Sequence, residues 1–294
     1  MTGPRIAPAA AGDLAAIEAY TAARSDTCMI VRSNLRRVGL AWTGARYQAQ
    51  YVVAWRDDRV VGVVGHNRNG VLLIQADEAV AELAVAATTL SGRPVGGFLG
   101  PAAQAAAARR ALGLADAPCA VDGDEVLMTL PLNALRVPAP LAAGEVHARL
   151  ARPADRDALI AWRIAYDVEA LGDAPGPETE RHATLTIDAC LADDTLWVLE
   201  RDGELVAMTA FNAVMPDCVQ VGGVFTPPAL RGRGYARAAV AGSLCDARAA
   251  GATRAVLFAQ AVDACAAYAA IGFTVEGRFA MILLATPTPP RPAA

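Results

Sequence analysis

The stretch VGGVFTPPALRGRGYARAAV, residues 221–240, decides the fold of the second half of this 294-residue chain. It begins as an apolar strand, passes two prolines and enters a helix through the turn RGRGYA, residues 231–236. Because Gly232 and Gly234 remove side chains from this turn, successive backbone N–H groups can point into one concavity at the helix N-terminus. Three arginines would add cationic donors: Arg231, Arg233 and Arg237. The pattern predicts a phosphate cradle; an exposed Arg/Gly turn that only caps the helix is the other interpretation.

The turn matches neither of two common nucleotide-binding fingerprints. A Walker A loop needs G-K-[ST] after four spacer residues, and the chain contains no lysine. A dinucleotide fingerprint needs a third glycine and a downstream acid for the ribose, and neither is in place. The cradle is therefore not that of a Walker A or Rossmann protein.

Strands and helices alternate around this stretch. The second half predicts strands at 147–150, 196–201, 204–211, 218–225, 254–259 and 273–284, and helices at 153–171, 178–191, 232–249 and 261–270. Consecutive hairpins imply antiparallel pairing, whereas the strand–helix–strand passage across residues 232–249 implies one parallel pair with a right-handed crossover. The predicted fold class is mixed α/β (α+β), with a mostly antiparallel sheet flanked by helices.

The first half repeats parts of the second. RIAPAAAGDLAAI from Arg5 resembles RLARPADRDALIAW from Arg149, and WRDDRVVGVVG from Trp55 matches ERDGELVAMTA from Glu200. Chance similarity of alanine-rich segments is the alternative. Prolines and a glycine near residues 138–144 indicate a linker. The predicted organisation is a first domain at 1–136, a linker at 137–146, a second domain at 147–285 and a disordered proline-rich tail at 286–294.

Two motifs of the second half resemble the GNAT superfamily of acyl-CoA-dependent N-acetyltransferases. The first is R-x-x-G-x-[GA] directly after a V-x-[VT]-x-P strand end, read here as VFTPPALRGRGYA at residues 224–236. The second is N-x-x-A-x-x-x-Y-x-x-x-G-F, matched by Ala264, Tyr268, Gly272 and Phe273, with Ala261 in the place of the asparagine. The resemblance covers roughly the last half of the chain and implies two GNAT-like domains.

The resemblance implies acetyl-CoA as the acyl donor, a primary amine as the acceptor, direct attack without a covalent enzyme intermediate, and no metal. The expected donor-binding residues are Val224, Phe225, Thr226, Arg231, Gly232, Arg233, Gly234, Tyr235, Ala236 and Arg237. Past a β-bulge the parallel strands would splay, so that backbone groups at residues 224–226 pair with the pantetheine arm and polarise the thioester carbonyl. Tyr268 would protonate the leaving thiolate; a tyrosine that only packs in the core is the alternative.

The general base stays open. Glu169, Glu200 and Asp217 are candidates, and each also reads as an ordinary solvated charge. The three histidines fall in no nucleophile or metal motif and are expected to be packing or surface residues: His66, His147 and His182.

An acidic loop follows the first helix of the second half. It carries Asp167, Glu169, Asp173, Glu178 and Glu180, with Arg181 as the one nearby arginine. Five carboxylates would attract a cationic amine, whereas a solvated flexible loop is the other interpretation.

The first half is expected to be degenerate. Its alignment with the second half puts Arg109 where Tyr268 stands, and no Gly/Arg loop follows Leu73 and Ile74. A domain with the fold but without the cradle would act as a structural partner.

Composition narrows the function classes. A net charge of −4 gives no basic excess for a nucleic acid, and no apolar run is long enough to predict a membrane span or a secretion signal. Six scattered cysteines favour neither a disulfide framework nor a zinc site. The expectation is a cytoplasmic N-acetyltransferase whose acceptor is a small amine, an antibiotic, a peptide or a protein. A non-catalytic acyl-CoA sensor is the rival.

Overall fold

The computed structural model describes residues 3–260 and 262–291. Two compact units share the chain: unit 1 comprises Met1–Glu125 with Arg278–Ala294, and unit 2 comprises Val126–Gly277. Ala261, where the second motif departs from asparagine, lies outside the described residues.

Unit 1 is a mixed sheet with helices. Its strands are β1 (Arg5–Pro8), β2 (Ala49–Arg56), β3 (Arg59–Asn67), β4 (Val71–Ala76) and β5 (Val95–Pro101), and its helices are α1 (Leu14–Ala22), α2 (Ser25–Val38), α3 (Val80–Ser91) and α4 (Ala102–Ala111). Two long strands run between the units: β6 (Cys119–Pro131) begins in unit 1, and β12 (Thr274–Thr288) ends there. The order is β1-β2-β3-β4-β5-β12, with β4 and β5 parallel. Phe98, Leu72 and Leu83 lie in its fully buried core.

Unit 2 has the same kind of sheet. Its elements are α5 (Ala139–Ala142), β7 (His147–Leu150), α6 (Arg156–Ala170), α7 (Pro177–Ala192), β8 (Leu196–Arg201), β9 (Glu204–Val214), β10 (Cys218–Phe225), α8 (Tyr235–Ala249), β11 (Arg254–Ala259) and α9 (Val262–Ala270). The order is β6-β11-β10-β9-β8-β7, with β10 and β11 parallel and the other pairs antiparallel. The predicted fold class is confirmed.

Helix α8 packs on the sheet through a face of small apolar residues. Ala239, Val240 and Leu244 are fully buried, and a Cβ at Gly242 would lie 2.1 Å from the Cβ of Ala148. This close packing of α8 on β7 requires a glycine at 242.

The structure differs from the expected organisation at two places. The segment expected as a linker lies inside unit 2 and contains α5, because its prolines stand at the start of a helical turn. The expected tail begins within β12, which runs to Thr288. A register shift between Leu283 and Thr288 lets the strand pass a proline that has no N–H to donate.

Helix α8 begins at Tyr235 rather than at residue 232, because Gly232 and Gly234 have left-handed backbone conformations. None of the helices among the described residues combines the length and hydropathy that a membrane span requires.

Candidate active site

A cavity of about 770 Å³ lies in unit 2. Its walls come from the last turn of α6, the end of β10, the turn before α8 and one face of α9. It is lined by Tyr268 and by every predicted donor-binding residue except Arg233. The two motifs, about 40 residues apart in the sequence, therefore meet at one cavity.

Strand β10 is irregular where it reaches the cavity. Its register against β9 shifts between Gln220 and Val221 and again between Gly222 and Phe225. Gly223 has a φ of +57°, which a residue with a side chain rarely adopts. The parallel pairing with β11 covers Cys218–Gln220 against Arg254–Val256, so Val224 and Phe225 lie past its end. The strands thus separate beside the cavity, and backbone groups of β10 border it.

The turn before α8 has the geometry of an anion cradle. Gly232 and Gly234 have φ values of +77° and +78°. The first helical bond runs from the N–H of Ala238 to the carbonyl of Gly234 at 3.1 Å, so the N–H groups of the three preceding residues are free of helical partners. At the mouth of this turn the hydroxyl of Thr226 is buried and has no hydrogen-bond partner among the described residues. These groups are donors that no described residue uses.

Arg231 does not project freely toward a phosphate. Its Nε donates to the carbonyl of Thr226 at 3.0 Å, and its two Nη atoms donate to the carboxylate of Glu169 at 2.8 and 2.7 Å. The guanidinium also lies 5.7 Å from the ring centre of Phe225. Arg231 therefore ties the cradle to the end of α6, and its remaining N–H groups are what it can offer a ligand.

The other two arginines of the cradle are exposed. Arg237 lines the cavity, and a Cβ at Gly234 would lie 3.0 Å from its Nε. Arg233 is exposed but lies outside the lining. Tyr235, the first residue of α8, accepts a hydrogen bond from Nη1 of Arg201 at 3.0 Å, and that bond lowers the pKa of its phenol.

Tyr268 lies on α9 and faces the cavity. Its ring contacts Phe273 edge-on, with 6.1 Å between ring centres. Burial raises the pKa of the phenol above its usual range, and the proximity of Tyr166 and Cys265 raises it further. The hydroxyl therefore stays protonated near neutral pH and can donate a proton.

Of the three candidate bases, Glu169 alone lines the cavity. Its hydrogen bonds with Arg231 lower its pKa, which makes it a weak base. The carboxylate of Glu200 pairs with Arg149, and the backbone carbonyl of Asp217 accepts the N–H of Thr253 at 3.0 Å. Neither borders the cavity, and the base stays unassigned.

The histidines lie outside the lining of the cavity. His66 is buried in unit 1 with its Nδ1 2.6 Å from the hydroxyl of Ser91, and burial lowers its pKa to about 4. His147 is exposed on β7. His182 places its Nδ1 3.5 Å from an oxygen of Asp167.

The acidic loop is less acidic than expected. Asp167 is fully buried and forms an ion pair with Arg163 at 2.8 Å. The carboxylate of Glu169 forms an ion pair with Arg231. Glu178 pairs with Arg181. The expectation of one arginine against five carboxylates is therefore wrong, because Arg163 lies one helical turn before Asp167 and Arg231 reaches Glu169 through the fold. Long-range attraction of a cation is correspondingly weakened.

One group of side chains has metal-ligand chemistry. Ligand atoms of Asp167, Asp173 and His182 lie within 4.8 Å of one another. The guanidinium of Arg163 already pairs with Asp167, and its positive charge disfavours a cation beside it. Asp167 thus has a guanidinium at ion-pair distance, while neither of its oxygens has a hydrogen-bond partner among the described residues.

Sequence reasoning missed Tyr166 and Arg163. Tyr166 lines the cavity, and the guanidinium of Arg163 lies 5.1 Å from the centre of its ring. Their spacing with Asp167 puts all three on adjacent positions of one helix face. That spacing is the signal that could have identified them.

Glu169→Gln is expected to weaken acetyl-CoA binding by about threefold to tenfold, because an exposed ion pair that positions a loop contributes modestly. Glu178→Gln is the matched control, since it breaks another exposed Glu–Arg pair, with Arg181, outside the cavity lining. Calorimetric titration of both variants measures the effect. Unchanged or tighter binding for Glu169→Gln would show that Glu169 competes with the ligand for Arg231 instead of positioning the cradle.

Comparison with known proteins agrees with the two motifs. Residues 158–273 match the family model of the acetyltransferase (GNAT) family. No curated protein matches the chain.

Solved structures share the two-unit fold. A Drosophila protein aligns with a TM-score of 0.64 at 13% identity, covering 96% of this chain and 99% of that one. A tandem GNAT protein from the clavulanic acid biosynthesis pathway aligns with a TM-score of 0.54 at 14% identity, covering 94% and 96%. A GNAT-family acetyltransferase from Colwellia psychrerythraea aligns with a TM-score of 0.51 at 17% identity, covering 95% and 99%. At these identities the likeness is one of fold.

Proposed function

We propose that this chain, whose residues 158–273 form a domain of the GNAT acetyltransferase family, is an N-acetyltransferase that moves the acetyl group of acetyl-CoA to a primary amine. The observation that carries the proposal is the cavity lined by the separated end of β10, the glycine turn before α8 and Tyr268. The glycine turn would take the diphosphate of the donor, the end of β10 its amide-containing arm, and Tyr268 the sulfur of its thioester.

The diphosphate fits the start of α8. Free N–H groups at residues 235–237 and the positive end of the helix dipole favour an anion there. The glycine at 234 leaves this approach open, since a Cβ would lie 3.0 Å from Arg237. The buried, unpartnered hydroxyl of Thr226 is suited to a polar group of the arm.

The reaction follows from the remaining groups. The amine nitrogen attacks the thioester carbon, a C–N bond forms, and negative charge develops on the carbonyl oxygen beside the N–H groups of the irregular end of β10. The C–S bond then breaks, and the thiolate takes a proton from the Tyr268 hydroxyl. The attacking nitrogen loses one proton to solvent, and the Tyr268 phenolate takes one proton back from solvent, so the tyrosine returns to its starting form.

Unit 1 is proposed to hold no donor. After β4 the N–H groups of Asp77 and Glu78 donate to the carbonyl of Val61 at 2.9 and 3.3 Å, so they are not available to a phosphate. The two carboxylates pair with Arg24 and Arg56 before the start of α3, so this turn presents ion-paired acids where unit 2 has glycines. We therefore assign unit 1 a structural role.

Thiol release from acetyl-CoA, followed with a panel of primary amines, tests the proposal. The expected result is release that depends on both the enzyme and an amine. Acetyl-CoA binding with no turnover on any amine would identify the non-catalytic acyl-CoA sensor instead. Absence of binding would contradict both functions.

A further inference from the structure

The guanidinium of Arg163 contacts a carboxylate through its Nε side, whereas its two Nη atoms make no hydrogen bond to a described residue. Its Nε lies 2.8 Å from Oδ1 of Asp167, one helical turn further along α6, and that carboxylate is fully buried. The edge that the two Nη atoms form is therefore free among the residues that the structure describes. A guanidinium presents two N–H groups on such an edge, which matches the two oxygens of a carboxylate.

The free edge faces the irregular part of β10. Nη1 of Arg163 lies 4.0 Å from the position that a Cβ on Gly223 would occupy. A Cβ there would make only ordinary van der Waals contacts, with the Cβ of Ala210 at 3.6 Å, so the missing side chain of Gly223 leaves room beside the strand. The proposed reaction puts the thioester carbonyl at the same irregular end of β10, so a group bound by Arg163 lies next to the reacting centre.

The guanidinium is also held in a fixed orientation. The Asp167 carboxylate binds one edge, and the ring of Tyr166, which lines the cavity, lies under its face at 5.1 Å. The side chain is only 15% exposed, so few waters compete for its donors. A preorganised, partly desolvated guanidinium loses little entropy when it binds an anion.

We infer that Arg163 binds a carboxylate of the acceptor, and that the acceptor is therefore an amino acid or a similar compound with a carboxylate a few bonds from its nucleophilic amine; the inference rests on the proposed function. The amine must lose its charge before it attacks, which leaves the carboxylate as the charge of the reactive form. Arg163 complements that charge.

Matched acceptor pairs test the inference. The twenty common α-amino acids and β-alanine are compared with their carboxamides by kcat/KM at saturating acetyl-CoA. The best acid is expected to exceed its amide by about tenfold or more, because the amide leaves one edge of the guanidinium imperfectly paired. This order opposes intrinsic reactivity, since an amide's amine is less basic and more often uncharged. No acid exceeding its amide would overturn the inference.

Arg163→Lys separates recognition from general structure. Lysine keeps the positive charge near Asp167 but loses the fork, so kcat/KM for the acid is expected to fall about tenfold or more while that for the amide stays within about twofold. Arg156→Lys is the control on the same helix, since Arg156 is an exposed partner of Asp188. An equal loss for acid and amide would mean that Arg163 only supports the fold.

A binding measurement keeps the inference separate from the proposed function. Melting of the full chain is followed with the N-acetyl derivatives of the same amino acids and of their amides, without acetyl-CoA. Stabilisation by an acid and not by its amide, lost in Arg163→Lys, is expected. Acetyl-CoA binding without this difference overturns the carboxylate site alone, and the difference without acetyl-CoA binding overturns the proposed function alone. If Arg163→Lys fails to fold, the test rests on the wild-type chain, in which the N-acetyl amino acid and not its amide is expected to raise the melting temperature.

Discussion

Gly234→Val should abolish acetyl-CoA binding, with an affinity loss of about 100-fold or more, while unit 2 stays folded. The residue has a φ of +78°, and its new Cβ would lie 3.0 Å from Nε of Arg237 and 3.1 Å from its Nη2. A β-branched residue in this conformation displaces both the arginine and the turn, so the N–H groups at the start of α8 no longer converge. Calorimetric titration with acetyl-CoA measures the loss.

Gly203→Val controls for backbone strain. Gly203, in the turn between β8 and β9, has a φ of +83° with no atom near its would-be Cβ. Both substitutions impose a similar conformational penalty, so both should lower the melting temperature by a similar amount. Only Gly234→Val should lose acetyl-CoA. Equal acetyl-CoA affinity in the two variants would show that the turn before α8 does not bind acetyl-CoA.

Tyr268→Phe should lower kcat by about 10-fold to 1,000-fold, the range expected for loss of one general acid, with acetyl-CoA affinity within about twofold. Phenylalanine keeps the edge contact with Phe273 and removes only the hydroxyl. The thiolate must then take its proton from water. Single-turnover release of thiol isolates this step from product release.

The raised pKa of Tyr268 gives this prediction a pH signature. A raised phenol pKa means that the proton donor persists as pH rises, so wild-type kcat should show no falling limb up to about pH 10. Tyr20→Phe is the control, because it removes a buried phenol that donates to Val61 in unit 1 and should leave kcat unchanged. Unchanged turnover in Tyr268→Phe at every pH would make Tyr268 a packing residue.

The bounds of several strands of unit 2 could be predicted from the sequence. The bounds of β7, β8 and β11 agree with the predicted segments because prolines, glycines and Asp-rich turns interrupt the apolar runs close to where the elements end. The long strands β6 and β12 were not foreseen as elements that run between the units. Strand pairing at such separations is set by tertiary contacts that no local pattern records.

The parts of the candidate site that lie in contiguous motifs could be predicted from the sequence, whereas contacts between distant residues could not. The glycine turn and Tyr268 lie in contiguous motifs, and the structure brings them to one cavity. The partner of Arg231 was not predictable, because Glu169 is 62 residues away and the two meet only when α6 packs beside β10. Arg163 was missed although Asp167 stands four residues further along the chain, a spacing that brings two side chains together on a helix.

One calorimetric titration tests whether the glycine turn before α8 is the acetyl-CoA site of this chain. The full chain is titrated with acetyl-CoA, and the stoichiometry is read beside that of Gly234→Val. One site per chain is expected, lost in the variant, because unit 2 has the glycine turn before α8, whereas after β4 unit 1 has Asp77 and Glu78 with their N–H groups bonded to Val61 and no Gly/Arg turn. No binding, two sites per chain, or one site that survives in Gly234→Val would contradict the account.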